Sequence, residues 1–387
     1  MSYGKTRDFL AKHTRIVELA TDAGARVAVA PEWQGRVMTS TFAGLDGPSF
    51  GFVNRDFIAA GKSDPHFNNY GAEDRLWLSP EGGQFGLFFK PGASQTDLDN
   101  WYTPPALNDG AWNVVSRPGE PMIRMTTRLQ LQNAAATSFQ LDADREVRLL
   151  GAHDFRGLFG PSAATIMGQR GVRIVGFESI SAVTNCGPDF VKEKGLVSLW
   201  VLGQMQGGVQ TVVIVPYKPG PEAALGSVVK SDYCGPVPAD RLKITPEAVL
   251  FRADSRFRSK IGVSQRRGRN VLGSFDFQSG VLTLVQFTMP DDPAKSVYLN
   301  NMCELPQAEP FRGDVANAYN DGPKAHGEAY GAFYEIETVS PALVLKTGQS
   351  LTHRHRTIHV QADAETVRNL AKQTLGVDLE TIRTNFL

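Results

Sequence analysis

The side chains best suited to chemistry lie near the carboxyl end of the chain, on two neighbouring predicted strands. The first strand carries Glu335 and Glu337, and the second carries His353, His355 and His359. Because side chains alternate between the two faces of a strand, both glutamates share one face, and the three histidines share one face of theirs. Carboxylates and imidazoles move protons near neutral pH or bind metal ions. If the two faces form one surface, this surface is the working end of the protein.

Metal binding is an alternative interpretation of the histidines. The His-x-His spacing of His353 and His355 resembles zinc ligands on a strand. With Gly348 before them, the two histidines also resemble a cupin motif, but His359 stands near the position of the cupin glutamate, and no second cupin motif follows. The favoured interpretation is a site without metal or cofactor, and a metalloenzyme stays open as an alternative.

A second polar cluster lies between His66 and Gln84 and contains Arg75, Trp77 and Glu81. Sugar recognition needs polar groups for the hydroxyls and an aromatic ring for the C–H face of a pyranose. The competing interpretation is a turn-rich loop whose polar side chains satisfy backbone groups.

Two further segments are ambiguous. Asn317–Pro323, which includes Asn320 and Asp321, is first of all a turn, although its oxygen atoms could also serve a sugar or a calcium ion. The basic run Arg252–Arg269 could attract an anionic sugar, but a solvated hairpin is favoured because charged runs usually face water.

The pattern along the chain predicts mostly strands. Thr6–Ala20 has helical spacing of apolar residues, and so has Ala364–Leu375, with a further helical turn near Asp378–Arg383. Between them, short β-type runs are separated by Gly, Pro, Asn and Asp; they include Ala25–Pro31, Gly35–Thr41, Gln84–Phe89, Ile123–Leu131, Val147–Leu150, Val172–Val183, Val197–Leu202, Thr211–Pro216, Val281–Thr288 and Phe333–Thr338. We predict one large antiparallel β-sandwich domain over residues 1–387, with helical extensions at 1–22 and 363–387.

Composition excludes several classes of protein. The 40 basic and 40 acidic residues balance, so neither nucleic acid nor an anionic membrane is an expected partner. The three cysteines lie far apart, which favours a reducing compartment. No apolar run resembles a signal peptide or a membrane span, so a cytoplasmic location is expected, although a trimmed leader would leave the same picture. The motifs of nucleotide-binding loops and serine hydrolases are also missing.

The order of residues from Glu335 to Val360 resembles the end of the galactose mutarotase-like superfamily. In that superfamily, the strand with the catalytic glutamate is followed by a proline-containing segment, a glycine turn and a final strand. Here the catalytic glutamate of the superfamily corresponds to Glu337 in Glu337-Thr338-Val339, and the glycine turn corresponds to Lys346–Ser350. The segment Ala25–Gly44 resembles the first hairpin.

Longer strings resemble an uncharacterised branch of this superfamily, the DUF6786-type proteins. The strings span nearly the whole chain; they are QGRVMTST at Gln34–Thr41, LWLSPEGGQF at Leu76–Phe85, NAYNDGP at Asn317–Pro323, FYEIETVSPA at Phe333–Ala342 and HRHRTIHV at His353–Val360.

The resemblance implies a supersandwich with a concave carbohydrate-binding face, and Glu337 as the general base that takes the proton of the anomeric hydroxyl. Mutarotases supply the acid from a histidine, but the comparable stretch here carries Trp200 and no histidine. Ring opening needs both a base and an acid, each worth roughly 10²–10⁴-fold. His355, His353 or His153 would then have to replace the acid.

Three hypotheses follow. The leading one is acid/base chemistry on a sugar, either anomeric epimerisation of an aldose or a related proton abstraction. Its proposed catalytic residues are Glu337 with His355 or His353, and its proposed substrate-binding residues are Glu335, Glu81, Arg75, Trp77 and Trp200, with Asn320 and Asp321 at the rim. The second hypothesis is a carbohydrate-binding module without catalysis, and the third is the histidine-ligated metalloenzyme. Which sugar is bound is left open.

Overall fold

The computed structural model describes residues 1–160, 163–323 and 329–387. Within these ranges the chain is dominated by antiparallel strands. The strands are β1 (Val17–Ala20), β2 (Arg26–Ala30), β3 (Arg36–Thr41), β4 (Arg75–Ser79), β5 (Asn113–Val114), β6 (Met122–Gln132), β7 (Ser138–Leu149), β8 (Arg173–Asn185), β9 (Ser198–Gln206), β10 (Thr211–Pro216), β11 (Leu242–Ile244), β12 (Ala248–Arg252), β13 (Ser259–Ser264), β14 (Val271–Asp276), β15 (Val281–Phe287), β16 (Asp314–Asn320), β17 (Phe333–Val339) and β18 (Ser350–Gln361). The helices are α1 (Tyr3–Leu10), α2 (Arg55–Ala60), α3 (Pro105–Asn108), α4 (Ala152–Phe159), α5 (Ala163–Gly168), α6 (Glu222–Leu225), α7 (Ala364–Leu375) and α8 (Leu379–Phe386).

The strands form one large and two smaller sheets. The large sheet has ten strands in the order β11-β12-β10-β14-β15-β18-β8-β7-β6-β5. The second has five strands in the order β13-β16-β17-β9-β4, and the third is the hairpin-connected sheet β1-β2-β3. The sheet interactions are antiparallel throughout the paired strands, which fits the alternating sequence pattern better than strand–helix units would.

The ten-stranded and five-stranded sheets pack face to face. Alternation along β18 shows how: the residues with odd numbers from Leu351 to His359 are buried between the sheets, whereas Thr352 and Arg354 on the opposite face are exposed. Apolar residues from both sheets make one continuous core, which includes Val201 of β9 and Ile336 of β17. Burying each such side chain stabilises the fold by about 1.5–3 kcal/mol relative to an exposed position.

Helices cover the other face of the ten-stranded sheet. Ile358 and Val360 of β18 pack there against Leu370 of α7 and Phe155 of α4 in a second apolar cluster. The bounds of α7 follow from local chemistry. The Asp363 side chain accepts a hydrogen bond from the Thr366 backbone N–H at the start of α7, and Gly376 adopts a left-handed conformation at its end.

The predicted fold class, a mostly β fold with large antiparallel sheets and helices at the termini, is confirmed. The C-terminal helix has the predicted bounds, and the helical turn after it extends to Phe386. Two predicted elements are wrong. The helix predicted over Thr6–Ala20 is α1 followed by β1, because Val17–Ala20 pairs with β2, and Gln84–Phe89 forms turns instead of a strand.

Candidate functional site

The candidate site lies on the face of the five-stranded sheet that points away from the ten-stranded sheet, called here the outer face. Glu335 and Glu337 of β17 share this face, about 7 Å apart along the strand. The neighbouring strands place further polar side chains beside them: Glu335 lies opposite Tyr319 on β16 and opposite Gln204 on β9, and Tyr319 lies opposite Lys260 on β13. The site is therefore built from adjacent strands, which hold its groups rigidly.

Glu337 is fully buried and held by two donors. The indole N–H of Trp200 donates to Oε2 over 2.9 Å, and the Lys260 ammonium donates to the same oxygen over 3.0 Å. The other oxygen, Oε1, is also buried, and it has no hydrogen-bond partner among the described residues. A buried carboxylate oxygen without a partner is costly. On the neighbouring strands of this face, Oε1 of Gln204 and Oδ1 of Asn317 are also buried without hydrogen-bond partners among the described residues.

Glu335 forms a second buried ion pair on the same face. Its Oε1 accepts a hydrogen bond of 2.7 Å from Nη2 of Arg75 on β4, and both side chains are almost fully buried. The Arg75 guanidinium also lies over the rings of Trp77 and Phe67, at 4.3 and 5.2 Å from the centroids. Its Nε and Nη1 atoms are buried without hydrogen-bond partners among the described residues.

Lys260 lies at the centre of the site. Its ammonium is 4.9 Å from the ring centroid of Trp200 and 5.6 Å from that of Tyr233, so two aromatic faces flank the charge. Burial disfavours the charged form, but the carboxylates of Glu337, Glu81 and Glu335 outweigh it and raise the pKa of Lys260. The ammonium therefore stays protonated at neutral pH and acts as a fixed positive charge.

Glu81 joins the site from the loop after β4. Its Oε1 accepts a hydrogen bond of 3.0 Å from the Trp101 indole N–H. Burial raises the pKa of Glu81, with Lys260 acting in the opposite direction. Cys234 lies near the same charges: it is exposed to solvent, yet the surrounding protein raises the pKa of its thiol. Glu81 and Cys234 therefore both lie within the electrostatic influence of Lys260.

Glu335 titrates near neutral pH. Burial raises its pKa to about 7, the Arg75 guanidinium acts against this, and the negative charge of Glu337 adds to the rise. Two carboxyl groups on one face, one of them able to carry a proton at neutral pH and the other paired with an ammonium, are an arrangement suited to acid/base chemistry.

The histidine row does not share the surface of the acidic pair, and this prediction is wrong. Thr338 follows Glu337 on β17 and therefore points to the opposite face. Its hydroxyl lies 2.9 Å from Nε2 of His353 and 2.9 Å from Nδ1 of His355, inside the sandwich. His359 is also inside, with Nε2 at 2.7 Å from Glu73. The alternation that groups the histidines together does not determine which face of β17 they meet.

Burial also keeps two of these imidazoles unprotonated at neutral pH, so they are unsuited to act as the general acid. It lowers the pKa of His353 to about 3 and that of His355 to about 4, so both are neutral at pH 7. His153, the remaining histidine suggested as the acid, is exposed on α4, a helix that packs on the far side of the ten-stranded sheet. None of the three histidines proposed as the acid lies beside Glu337.

Among the described residues, no group of three or more His, Cys, Asp or Glu side chains has a geometry that could hold a metal ion. The histidine row is instead paired with hydroxyl and carboxylate groups: His355 also lies 3.2 Å from Thr357, and His359 lies 2.9 Å from Thr283.

The predicted substrate-binding residues are only partly brought together. Glu335, Arg75, Glu81 and Trp200 lie around Glu337, as described above. Trp77 is buried beside them, where its indole donates to the Leu107 carbonyl over 3.1 Å and its ring packs against Trp200. It supports the site from within.

Asn320 and Asp321 are fully buried and hold loops in place. Asn320 accepts a hydrogen bond from the Ser255 backbone and donates to the Phe257 carbonyl. Asp321 accepts from the Tyr319 hydroxyl and from the Gly331 backbone. The segment predicted as a turn is largely strand β16, so these two side chains fix its carboxyl end; they do not form the predicted rim.

Sequence reasoning missed Lys260 and Trp101. Lys260 lies inside the basic run that was assigned to a solvated hairpin, but the local pattern of β13 contains a signal: a single lysine in the strand Ser259–Ser264, which is otherwise small or apolar. Trp101 gives no comparable signal, because its loop returns to Glu81 only in the folded chain.

The fold defines the chain as a large antiparallel β-sandwich protein with a buried, charged site on the outer face of its smaller sheet. The chain belongs to DUF6786, described as a family of unknown function, whose model matches residues 1–386. The predicted family is therefore confirmed. A comparison with curated proteins finds no sequence that matches.

Solved structures with a similar arrangement are known. The Slr1438 protein from Synechocystis sp. PCC 6803 shares 12% identity at a TM-score of 0.50, over 90% of this chain and 96% of its own. A protein provisionally assigned as an aldose 1-epimerase from Escherichia coli K12 shares 12% identity at a TM-score of 0.48, over 89% and 98% of the two chains. A galactose mutarotase-like protein from Lactobacillus casei ATCC 334 shares 10% identity at a TM-score of 0.47, over 89% and 100%. At these identities the likeness concerns the fold alone.

No α-helix in the described part of the chain combines the length and the apolar character that crossing a bilayer requires.

Proposed function

We propose that this protein carries out acid/base chemistry on a sugar at the outer face of the five-stranded sheet. The observation that carries the proposal is the buried, unpartnered Oε1 of Glu337 beside a second carboxyl group, Glu335, that titrates near pH 7. A sugar hydroxyl is a donor that would satisfy Oε1. The sequence resemblance of this strand to the last strands of mutarotases supports the same choice of substrate.

The proposed reaction is ring opening at the anomeric carbon. Glu337 takes the proton from the anomeric hydroxyl, the bond between that carbon and the ring oxygen breaks, and the ring oxygen receives a proton. Glu335 is the proposed acid, because its pKa of about 7 leaves a large fraction protonated at neutral pH and because it lies on the same face of β17. Closure of the ring on the other face of the aldehyde gives the second anomer.

The neighbouring groups have supporting roles in this scheme. Trp200 and Lys260 hold Oε2 of Glu337, which leaves Oε1 as the oxygen that receives the proton. Arg75 holds Glu335 by its Oε1. Lys260 covers the carboxylate and is 8% exposed, so a sugar that reaches Glu337 shifts this side chain. Trp200 and Arg75 keep their contacts with the two carboxyl groups when Lys260 shifts, so they supply electrostatic support that is already in place.

The test is the Glu337→Gln variant. Gln keeps the shape and the acceptor for Trp200, and Glu81 and Glu335 remain near Lys260, whereas loss of the base reduces exchange by roughly 10²–10⁴-fold. Anomer exchange of a panel of aldoses is followed by NMR or polarimetry, and circular dichroism monitors folding. Glu309→Gln, at an exposed carboxylate, is the control. Equal exchange rates for Glu337→Gln and the native protein on the sugar that is turned over would overturn the proposed mechanism.

A second candidate function, sugar binding without turnover, is favoured by two observations. Lys260 pairs with the Glu337 carboxylate and occupies one of its oxygens. By the sequence resemblance, Trp200 lies in the stretch where mutarotases carry their acid. Binding of sugars by the native protein with no acceleration of anomer exchange would favour this candidate over the enzyme.

A further inference from the structure

A pocket of about 430 Å³ lies beside the acidic site, within the range of about 300–1,000 Å³ that is usual for small-molecule sites. Its wall includes the aromatic rings of Phe57, Phe67 and Trp101 and the carboxylates of Asp64 and Asp99. The described lining contains no lysine or arginine. The proposed catalytic residues do not lie in this pocket.

Two aromatic residues belong to both the pocket and the acidic site. The Trp101 ring lines the pocket while its indole N–H donates to Glu81. The Phe67 ring lines the pocket while the Arg75 guanidinium lies 5.2 Å from its centroid. The pocket and the acidic site are therefore adjacent and share the side chains of Trp101 and Phe67.

The chemistry of the pocket fits a neutral sugar. Aromatic faces pack against the C–H face of a pyranose, and carboxylate and amide groups accept and donate the hydrogen bonds of its hydroxyls. Asn69 supplies an amide in the wall, where its Nδ2 donates to the Tyr330 carbonyl over 2.9 Å. The lining carries two carboxylates, one imidazole (His66) and no lysine or arginine, so it disfavours an anionic ligand such as a sugar phosphate.

We infer that this pocket binds a second sugar unit, so that the substrate is a neutral oligosaccharide or glycoside of at least two units. The inference rests on the proposed function, because it places the first unit at Glu337. Trp101 is the shared wall between the two units, and Asp99 and Phe57 contact only the second.

Isothermal titration calorimetry on the full chain tests this inference with D-glucose, D-galactose, cellobiose, maltose and lactose. We expect at least one disaccharide to bind about tenfold more tightly than its constituent monosaccharides. The Asp99→Ala variant removes a charged hydrogen-bond acceptor, so the ratio of disaccharide to monosaccharide affinity falls by about tenfold. Phe57→Ala lowers the same ratio by removing a stacking surface.

The matched control is Asp56→Ala, an exposed carboxylate next to Phe57 that does not line the pocket. It leaves all affinities unchanged. Equal affinities for disaccharides and monosaccharides, or an unchanged ratio in Asp99→Ala, would overturn the inference. Exchange of a monosaccharide that still depends on Glu337 would then leave the proposed function standing, whereas no binding of any saccharide would reject both.

Discussion

Lys260 and Glu337 form a buried ion pair across two strands, with the ammonium 3.0 Å from a carboxylate oxygen that Trp200 also holds. The other glutamate of β17, Glu335, forms a separate ion pair with Arg75. The site therefore contains two buried ion pairs, and both of their carboxylates belong to β17. Burying each charge costs desolvation energy, which the oppositely charged partner offsets.

The Lys260→Met variant is expected to lower the free energy of unfolding by about 3–5 kcal/mol, because it leaves the Glu337 carboxylate buried without its cation. The double variant Lys260→Met/Glu337→Gln is expected to recover most of this loss, since the uncompensated charge is gone. Urea denaturation of the native protein, both single variants and the double variant measures the coupling between the two residues. If the double variant is no more stable than Lys260→Met, the pair does not offset its desolvation.

The proposed acid role of Glu335 predicts a falling limb in the pH profile. Since the acid must carry its proton, kcat/KM for anomer exchange is expected to fall about tenfold per pH unit above the Glu335 pKa of about 7. The Glu335→Gln variant is expected to lose this limb, with a rate lowered by about 10²–10⁴-fold. Glu309→Gln should keep the native profile, and a native limb in Glu335→Gln would assign the acid to another group.

Glu335 also makes a prediction that needs no substrate. Its pKa is raised from 4.5 in the unfolded chain to about 7 in the folded protein, so the folded state binds more protons between these values. The Glu335 contribution therefore lowers stability as pH rises from about 4.5 to about 7, by about 1 kcal/mol per pH unit. Chemical denaturation across this range should show a loss of that slope in Glu335→Gln. An unchanged slope would mean that Glu335 is ionised throughout.

His353 and His355 contribute a dependence of stability on pH that is opposite in sign to that of Glu335. Burial lowers the pKa of His353 to about 3 and of His355 to about 4, from 6.5 when unfolded, so the unfolded state binds more protons below pH 6.5. Asp74 favours the charged form of His355, and Arg145 opposes it. Stability should thus fall as pH decreases from about 6.5 towards 4, by about 1 kcal/mol per pH unit for each imidazole.

The His355→Gln variant tests this expectation. Between about pH 6.5 and pH 4, the free energy of unfolding of this variant should change less steeply with pH than that of the native protein. The difference in slope should correspond to about one proton, because the variant lacks one group that binds a proton only in the unfolded state. His153→Gln, at an exposed histidine on α4, is the control and should keep the native slope. Chemical denaturation at several pH values measures both, and an equal slope in all three proteins would place a charged imidazole at His355.

Properties that depend on neighbours in the chain could be predicted from the sequence. The placement of Glu335 and Glu337 on one face follows from strand alternation alone, and the bounds of α7 follow from its apolar spacing. The same alternation along β18 correctly grouped His353, His355 and His359 on one face. The family and the fold class were also predictable, because long strings and short β-type runs are visible without coordinates.

Only the tertiary structure decided how these faces meet. Alternation divides each strand into two sets of side chains, but the stacking of the sheets selects which set of β17 meets β18, and it selected Thr338 instead of Glu337. The burial of Lys260 depends likewise on the pairing of β13 with β16, two strands separated by 49 residues of chain. Long-range packing set the partners of each charge, and with them the proton affinities, because desolvation and Coulomb interactions depend on distance in space.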